Sequence, residues 1–492
     1  MKKLSELIFN NTFSHLPAVF GTPIKPQPLD DPFLVSANPK VCELLELDPV
    51  QTSTEYFINL FTGNDQHSAM APLAMKYTGH QFGQYNPELG DGRGLLLGEV
   101  LTSYGQKWDI HLKGSGLTPY SRQGDGRAVL RSSIREYLAS AAMDGLGIKT
   151  THALAVLSSN TPVFRETVER GATLIRVAES HLRFGHFEYL FYTQQHSELK
   201  LLADYLISNH FADIDSKADD ATRYRQMFNT IVFLTAQLIA DWQAVGFAHG
   251  VMNTDNMSVL GLTFDYGPYG FLDDYDPGFI CNHSDYSGRY AFNQQPNIAL
   301  WNLSALGYAL TPLLEKDDID HALESYQILL QQAYSKNMRN KLGLKEKREQ
   351  DTPLFANLFD LMKKQAVDYT LFFRTLSSIP HAELKTSSHH FQPLFKNLAP
   401  LEVWLSLYAD RLEKDSLSDT DRLALMRASN PKFILRNYLA QQAIEQAEKG
   451  DFTLVEQLLK VLQNPFDEHP GFATFAEQPP EWGKTLEISC SS

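Results

Sequence analysis

Apolar positions divide the chain into two kinds of region. From about residue 77 they fall in short runs bounded by glycines. Leu95–Thr102 and Trp108–Leu112 are such runs, joined by Tyr104-Gly105-Gln106-Lys107, and the pattern predicts a β-hairpin. Val163–Val168 and Thr173–Ala178 predict a second hairpin, turning at Glu169-Arg170-Gly171. Between the two, Leu130, Ile134, Tyr137 and Ala141 recur at helical spacing, and Gly145 and Gly147 end the helix they predict. Beyond Phe187 the spacing turns mostly helical. One helix is expected from about Ala221 to Val245, stopped by Gly246. Another is expected over Asn297–Leu310, and more over residues 355–465.

This pattern sets the expected organisation. Residues 1–75, with Pro23, Pro26, Pro28 and Pro32, read as an accessory N-terminal region. Residues 76–187 form a strand-rich lobe, 188–465 a helical lobe, and 466–492 an extended tail. The fold class is α+β, with chemistry expected on loops where the lobes join.

Composition narrows the function. Of 492 residues, 43% are hydrophobic and 21% charged, as in ordinary globular domains, so a disordered or fibrous chain is excluded. The net charge of −15 argues against non-specific binding to nucleic acid or to an anionic membrane. It leaves room for a local basic pocket. Cys42, Cys281 and Cys490 lie too far apart for a zinc motif or a disulfide framework. The apolar stretch Ile231–Ala240 is too short to span a bilayer, and MKKLSELIFNN reads as neither a signal nor a transit peptide. A cytoplasmic protein is expected.

A motif scan finds no P-loop, no H-E-x-x-H and no G-x-S-x-G. His186-Phe187-Glu188 mimics a deaminase H-x-E, but no P-C-x-x-C follows. The remaining features fall in the order of a protein kinase's parts. GDGRG (Gly90–Gly94) opens into a strand, where glycines let backbone N–H groups approach phosphate. Lys113 closes the next strand and Glu136 lies on the helix after it, as in the kinase Lys–Glu pair. Taken singly, each has a plain structural use: a turn, a solvated strand end, a polar helix face. HGVMNTDN (His249–Asn256) keeps the His-to-Asn spacing of a kinase catalytic loop, but Val251 stands where the catalytic Asp belongs, and Asp255 is the nearest carboxylate. Asp265-Tyr266-Gly267 follows in place of D-F-G. Asn256 and Asp265 offer hard oxygen ligands of the kind Mg²⁺ or Mn²⁺ accepts.

Five segments together resemble the SelO family, also called YdiU: GHQFGQYNPELGDGRG, LKGSGLTPYSRQGDGRAVLRSSIREYL, HLRFGHFEY, HGVMNTDNMS and FDYGPYGFLDDYDP. The resemblance implies a pseudokinase, two-lobed fold that transfers AMP from ATP to protein hydroxyls. ATP is flipped, so that its α-phosphate meets the nucleophile. UMP transfer from UTP with Mn²⁺ is attributed to bacterial members. Carried over, Gly90, Gly92 and Arg93 lie along the nucleotide, and Lys113 holds a phosphate and pairs with Glu136. Asp125 and Gly126 match the nucleotide-binding loop, and Arg176 and Arg183 match the phosphate-binding arginines. Asp255 becomes the base, with Asn256 and Asp265 as metal ligands. On the residues alone, Asp125 serves equally as a helix cap and Arg176 as a surface strand residue in a salt bridge. The family often carries selenocysteine near the C-terminus in eukaryotes, where this chain has Cys490. A Cys281–Cys490 disulfide beside the site is a further expectation. Three chemistries stay open: nucleotidyl transfer to Ser, Thr or Tyr of proteins, ordinary phosphoryl transfer, and a non-catalytic nucleotide-binding scaffold.

Overall fold

A computed structural model describes residues 1–488. Its centre is an eight-stranded sheet. The strands are β1 (Gly21–Pro23), β2 (Phe33–Ala37), β3 (Leu73–Met75), β6 (Gly94–Leu101), β7 (Lys107–Lys113), β8 (Ala128–Val129), β9 (His152–Phe164) and β10 (Val168–Ala178). A separate small hairpin is formed by β4 (Gly79–Gln81) and β5 (Gln84–Asn86). The sheet runs β1-β3-β6-β7-β10-β9-β2, with β8 paired to β10, and its strand pairs are antiparallel.

Side chains alternate between two cores, as the two-residue period of a strand requires. Leu95, Leu97, Ile175 and Val177 face helices α1 (Pro39–Leu44) and α2 (Glu55–Phe61). Leu96, Leu174 and Val156 face α3 (Leu130–Gly145). The sheet is therefore covered on both sides, which explains why β10 is buried almost throughout from Gly171 onward. Residues 1–75, expected to be an accessory N-terminal region, supply β1, β2 and β3 to the two edges of the sheet.

The first hairpin forms as the pattern predicts, with Gly105 at φ 79° in the turn. The second turns elsewhere. Its strands are longer, and the reversal lies at residues 165–167, where Arg165 N donates to Thr167 O at 3.0 Å. Glu169-Arg170-Gly171 is not a turn but an irregularity within β10, where the register slips between Arg170 and Ala172. A glycine inside a strand marks a bulge as often as a turn.

The helical part begins with α4 (Phe184–Tyr192), α5 (His196–His210) and α6 (Asp220–Val245), followed by α7 (Gln295–Ala309) and α8 (Lys316–Lys341). Asp219 caps α6, accepting from Thr222 N at 2.9 Å, and Gly246 ends it at φ 73°. Further helices fill most of residues 351–462. The tail is less extended than expected, since Pro470–Ala476 and Glu481–Lys484 are short helical turns. Among the described residues no helix is long and apolar enough to cross a membrane. The loops 247–277 lie where the sheet and α3 meet the helices.

Candidate active site

The sheet brings cations to one end, and α3 meets them with a carboxylate. Lys113 is the last residue of β7. Arg176 lies opposite His111 on the neighbouring strand β10. Lys113 Nζ is 2.6 Å from Glu136 Oε2, and Arg176 Nε is 2.5 Å from Oε1. Glu136 is thus no solvated helix face: it is 1% exposed. Burial alone would raise its pKa, but Arg176 and Lys113 outweigh burial and hold it ionised. Burial pulls Lys113 the other way, down to about 8, although Glu136 opposes the shift.

Arg176 also reaches the loop that carries Asp265. Arg176 Nη1 is 2.8 Å from Asp265 Oδ1, and Arg183 Nη1 is 2.5 Å from Asp265 Oδ2. Asp265 sits at φ 60°, a left-handed conformation rare for a residue with a side chain. Arg183 and Arg176 overcome the effect of burial and hold its carboxyl far below the usual range. Arg183 precedes α4, and its guanidinium lies 4.4 Å from the Tyr77 ring centre and 4.6 Å from that of Phe264. It also donates to the carbonyl of Asp255 at 2.7 Å.

Asp255 is the opposite case. Its side chain is buried, and Oδ1 has no hydrogen-bond partner. Burial pushes its pKa up to about 7, with Arg183 opposing and Asp265 adding to the rise. Two carboxylates in one site are therefore pushed apart, one fixed as an anion and one poised near neutrality, as acid–base chemistry requires. Asn256 beside it donates from Nδ2 to Val251 O at 3.0 Å. His249 ties the loops together: its backbone N–H donates to Gln295 Oε1, and its ring lies 5.3 Å from Trp242, nearly parallel.

The glycine-rich segment closes over this cluster. Gly90 has φ 146°, and a Cβ there would lie 2.6 Å from the Tyr120 ring. The Arg93 carbonyl accepts from Gly114 N at 2.7 Å, joining the segment to the end of β7. Gly126 is at φ 69°, and a Cβ there would lie 2.0 Å from the Gly116 carbonyl oxygen. Asp125 does not cap a helix, because α3 starts at Leu130. It pairs with Arg165 at 2.8 Å and accepts from Arg127 N at 2.9 Å.

These residues line one cleft of about 590 Å³. Gly90, Gly92, Arg93, Lys113, Asp125, Gly126, Arg176, Arg183, Asp255, Asn256 and Asp265 all face it, and Glu136 braces it from behind. Seven cationic side chains line it against five carboxylates, in a chain of net charge −15. A local excess of positive charge beside glycine backbone suits a polyphosphate. No group of three or more His, Cys, Asp or Glu side chains suited to a metal occurs among the described residues. Asn256 and Asp265 are the oxygen donors at hand, with the Asp265 carboxylate held by Arg176 and Arg183; once released it would suit a Mg²⁺-type ion that completes its shell with phosphate and water.

Cys281 is buried against Gly250 of the same loop, where an added Cβ would stand 2.7 Å from its sulfur. Cys490 lies outside the described residues. Sequence reasoning missed Asp91, inside GDGRG. It is buried, accepts from Met75 N and His111 Nε2, both at 3.1 Å, and from Tyr77 OH at 3.3 Å, and so fixes the glycine segment to the sheet. His111 lowers its pKa to about 2 against the effect of burial. Glu188, part of the deaminase-like triplet, has a different use. It holds the loop of Asp255, accepting from Thr254 Oγ1 at 2.5 Å and pairing with His80 at 2.7 Å.

The family model described as "Protein adenylyltransferase SelO" matches residues 3–463. A protein nucleotidyltransferase YdiU of Photobacterium profundum is 68% identical, over 100% of each chain. Proteins of the same name from Aliivibrio fischeri and Vibrio parahaemolyticus are each 54% identical, over 99% and 98% of both chains respectively.

Proposed function

Because this chain belongs to the SelO family, we propose that it is a protein nucleotidyltransferase that moves AMP from ATP to Ser, Thr or Tyr hydroxyls of other proteins. The observation that carries this reading is the pairing of an orphaned, near-neutral Asp255 with a cluster of buried cations. The cations suit a triphosphate; the carboxylate suits a hydroxyl.

In this account Lys113, Arg176 and Arg183 hold the phosphates. The acceptor hydroxyl gives its proton to Asp255 Oδ1 as its oxygen bonds to the α-phosphorus. The bond from that phosphorus to the bridging oxygen of the β-phosphate breaks, and pyrophosphate leaves with the electron pair. The cations stabilise its charge. Asn256 and Asp265 would hold Mg²⁺ or Mn²⁺, which when bound neutralises phosphate charge. Phosphate oxygens compete with Asp265 for Arg176 and Arg183, so a nucleotide frees that carboxylate for a cation.

The two lobes and the order of parts are read here as a pseudokinase with flipped ATP. Val251 supports this, since it leaves the usual kinase base position without a carboxylate. The relatives' printed name leaves the nucleotide open, so UMP transfer from UTP with Mn²⁺ is the second reading.

The test uses ATP labelled at the α or the γ position, purified protein, Mg²⁺ and casein as acceptor. Label from the α position alone supports AMP transfer. Label from the γ position alone makes the protein a kinase. No label from ATP, with label from α-labelled UTP and Mn²⁺, favours the second reading. A blank in every arm leaves a nucleotide-binding scaffold.

A further inference from the structure

The small hairpin of β4 and β5 is fastened to the loop of Asp255 at several points. His80 N donates to Thr254 Oγ1 at 2.7 Å. At its tip, Phe82 N donates to Tyr290 OH at 3.0 Å and Asn253 Oδ1 at 3.3 Å, and Tyr290 OH donates to the same Asn253 oxygen at 2.6 Å. Gly79 is pressed so close to the loop that a Cβ would lie 3.0 Å from Asp255 Oδ1. The tip is therefore held at a set distance from Asp255. Three residues of extended chain reach at most about 11 Å.

Phe82 itself is doubly unfavourable for folding. It lies at φ 50°, and its side chain is 45% exposed within a cleft otherwise rich in charge. Its ring leans on Tyr290, with centres 5.1 Å apart. Half-buried rings on the hairpin meet exposed ones on the protein surface outside the cleft. Tyr85 lies 4.1 Å from Tyr192, and His80 lies 5.3 Å from Trp301, centre to centre. Tyr192 and Trp301 are both more than one-third exposed. A nucleobase would cover one ring. Rings placed both inside the cleft and on the surface beside it, with the Arg289 guanidinium over Tyr290 and Trp301, fit a polypeptide.

We propose that Phe82 is a specificity-determining residue for the protein acceptor, touching an apolar side chain within about three residues of the modified hydroxyl. The inference rests on the reading of the site as a protein nucleotidyltransferase. An acceptor hydroxyl at Asp255 puts its chain neighbours, spaced about 3.3–3.6 Å per residue, within reach of the hairpin tip. The hairpin then does two things. It braces the loop that carries Asp255, and it offers the entering chain an apolar surface.

The test uses degenerate peptides with a central Ser, Thr or Tyr and α-labelled ATP. Wild type is expected to label peptides with Phe, Leu, Ile or Met near the centre roughly tenfold better than those with polar neighbours. Phe82→Ala flattens that preference, and Phe82→Leu keeps most of it. Both variants bind ATP within about twofold of wild type, which also reports that they fold. No preference in wild type overturns the inference, as does an unchanged preference in Phe82→Ala. A loss of ATP affinity in Phe82→Ala that matches the loss of transfer also overturns it, because the ring then belongs to the nucleotide. Wild type that transfers nothing from any nucleotide refutes the parent function first, and the inference with it.

Discussion

Glu136→Gln is the sharpest perturbation of the cation cluster. The carboxylate receives Lys113 at 2.6 Å and Arg176 at 2.5 Å, and all three side chains are nearly inaccessible to water. Removing one member of a buried ion pair costs about 3–5 kcal/mol, because the partner charge stays buried. Arg176 keeps Asp265 at 2.8 Å, so the lower end, about 3 kcal/mol, is expected. Among the described residues Lys113 makes no second ion pair, and only the weaker influence of Asp265 remains. With burial already holding its pKa near 8 and Glu136 opposing, loss of Glu136 lowers it further and weakens its charge near neutral pH. Two effects follow in one variant: lower stability, and weaker ATP binding. Because ATP binds the variant more weakly, it stabilises the variant less than wild type at a given concentration, so the stability gap widens in ATP. Urea unfolding with and without ATP, with direct measurement of ATP affinity, reads all of this. A loss below about 1 kcal/mol with unchanged ATP affinity would refute the reasoning.

Three further outcomes are expected. ATP affinity falls as pH rises past about 8, because Lys113 is charged below that value and neutral above it; the slope is at most about tenfold per pH unit. Calorimetry at pH 7 and 9 checks this, and a flat profile contradicts it. Gly126→Ala destabilises the loop by at least about 1–3 kcal/mol, from a strained φ and a Cβ only 2.0 Å from the Gly116 oxygen; thermal unfolding and ATP binding both report it. Asp91→Asn loosens the glycine segment through the backbone N–H of Met75 and through His111, so ATP affinity drops while the α6 core, read by hydrogen exchange, keeps its protection.

Local chemistry is the legible part of the fold. Gly246 ends α6 because glycine tolerates the left-handed backbone there, and that signal sits in the sequence. Gly171 misleads for the same reason: a glycine beside charged residues reads as a turn, while the partner strand makes it an irregularity in β10. Strand β2 pairs with β9 across more than a hundred residues, a contact no local pattern announces. The site is legible where a motif names a side chain, as with Lys113, Glu136, Asp255 and Asp265. Asp91 is hidden among glycines, and its importance comes from His111 and Tyr77, which only folding brings to it. Phe82 lies inside the segment GHQFGQYNPELGDGRG, but the segment alone gives its ring no role; that comes from where the hairpin holds it.

The central claim is that Asp255 takes the proton of a protein hydroxyl beside a bound triphosphate. The direct measurement is transfer of α-label from ATP to casein by wild type and Asp255→Asn, with ATP affinity measured on the same samples. The account predicts a fall in transfer of about 10²–10⁴-fold with ATP affinity nearly unchanged. Transfer at the wild-type rate in Asp255→Asn, with ATP bound as before, would contradict it.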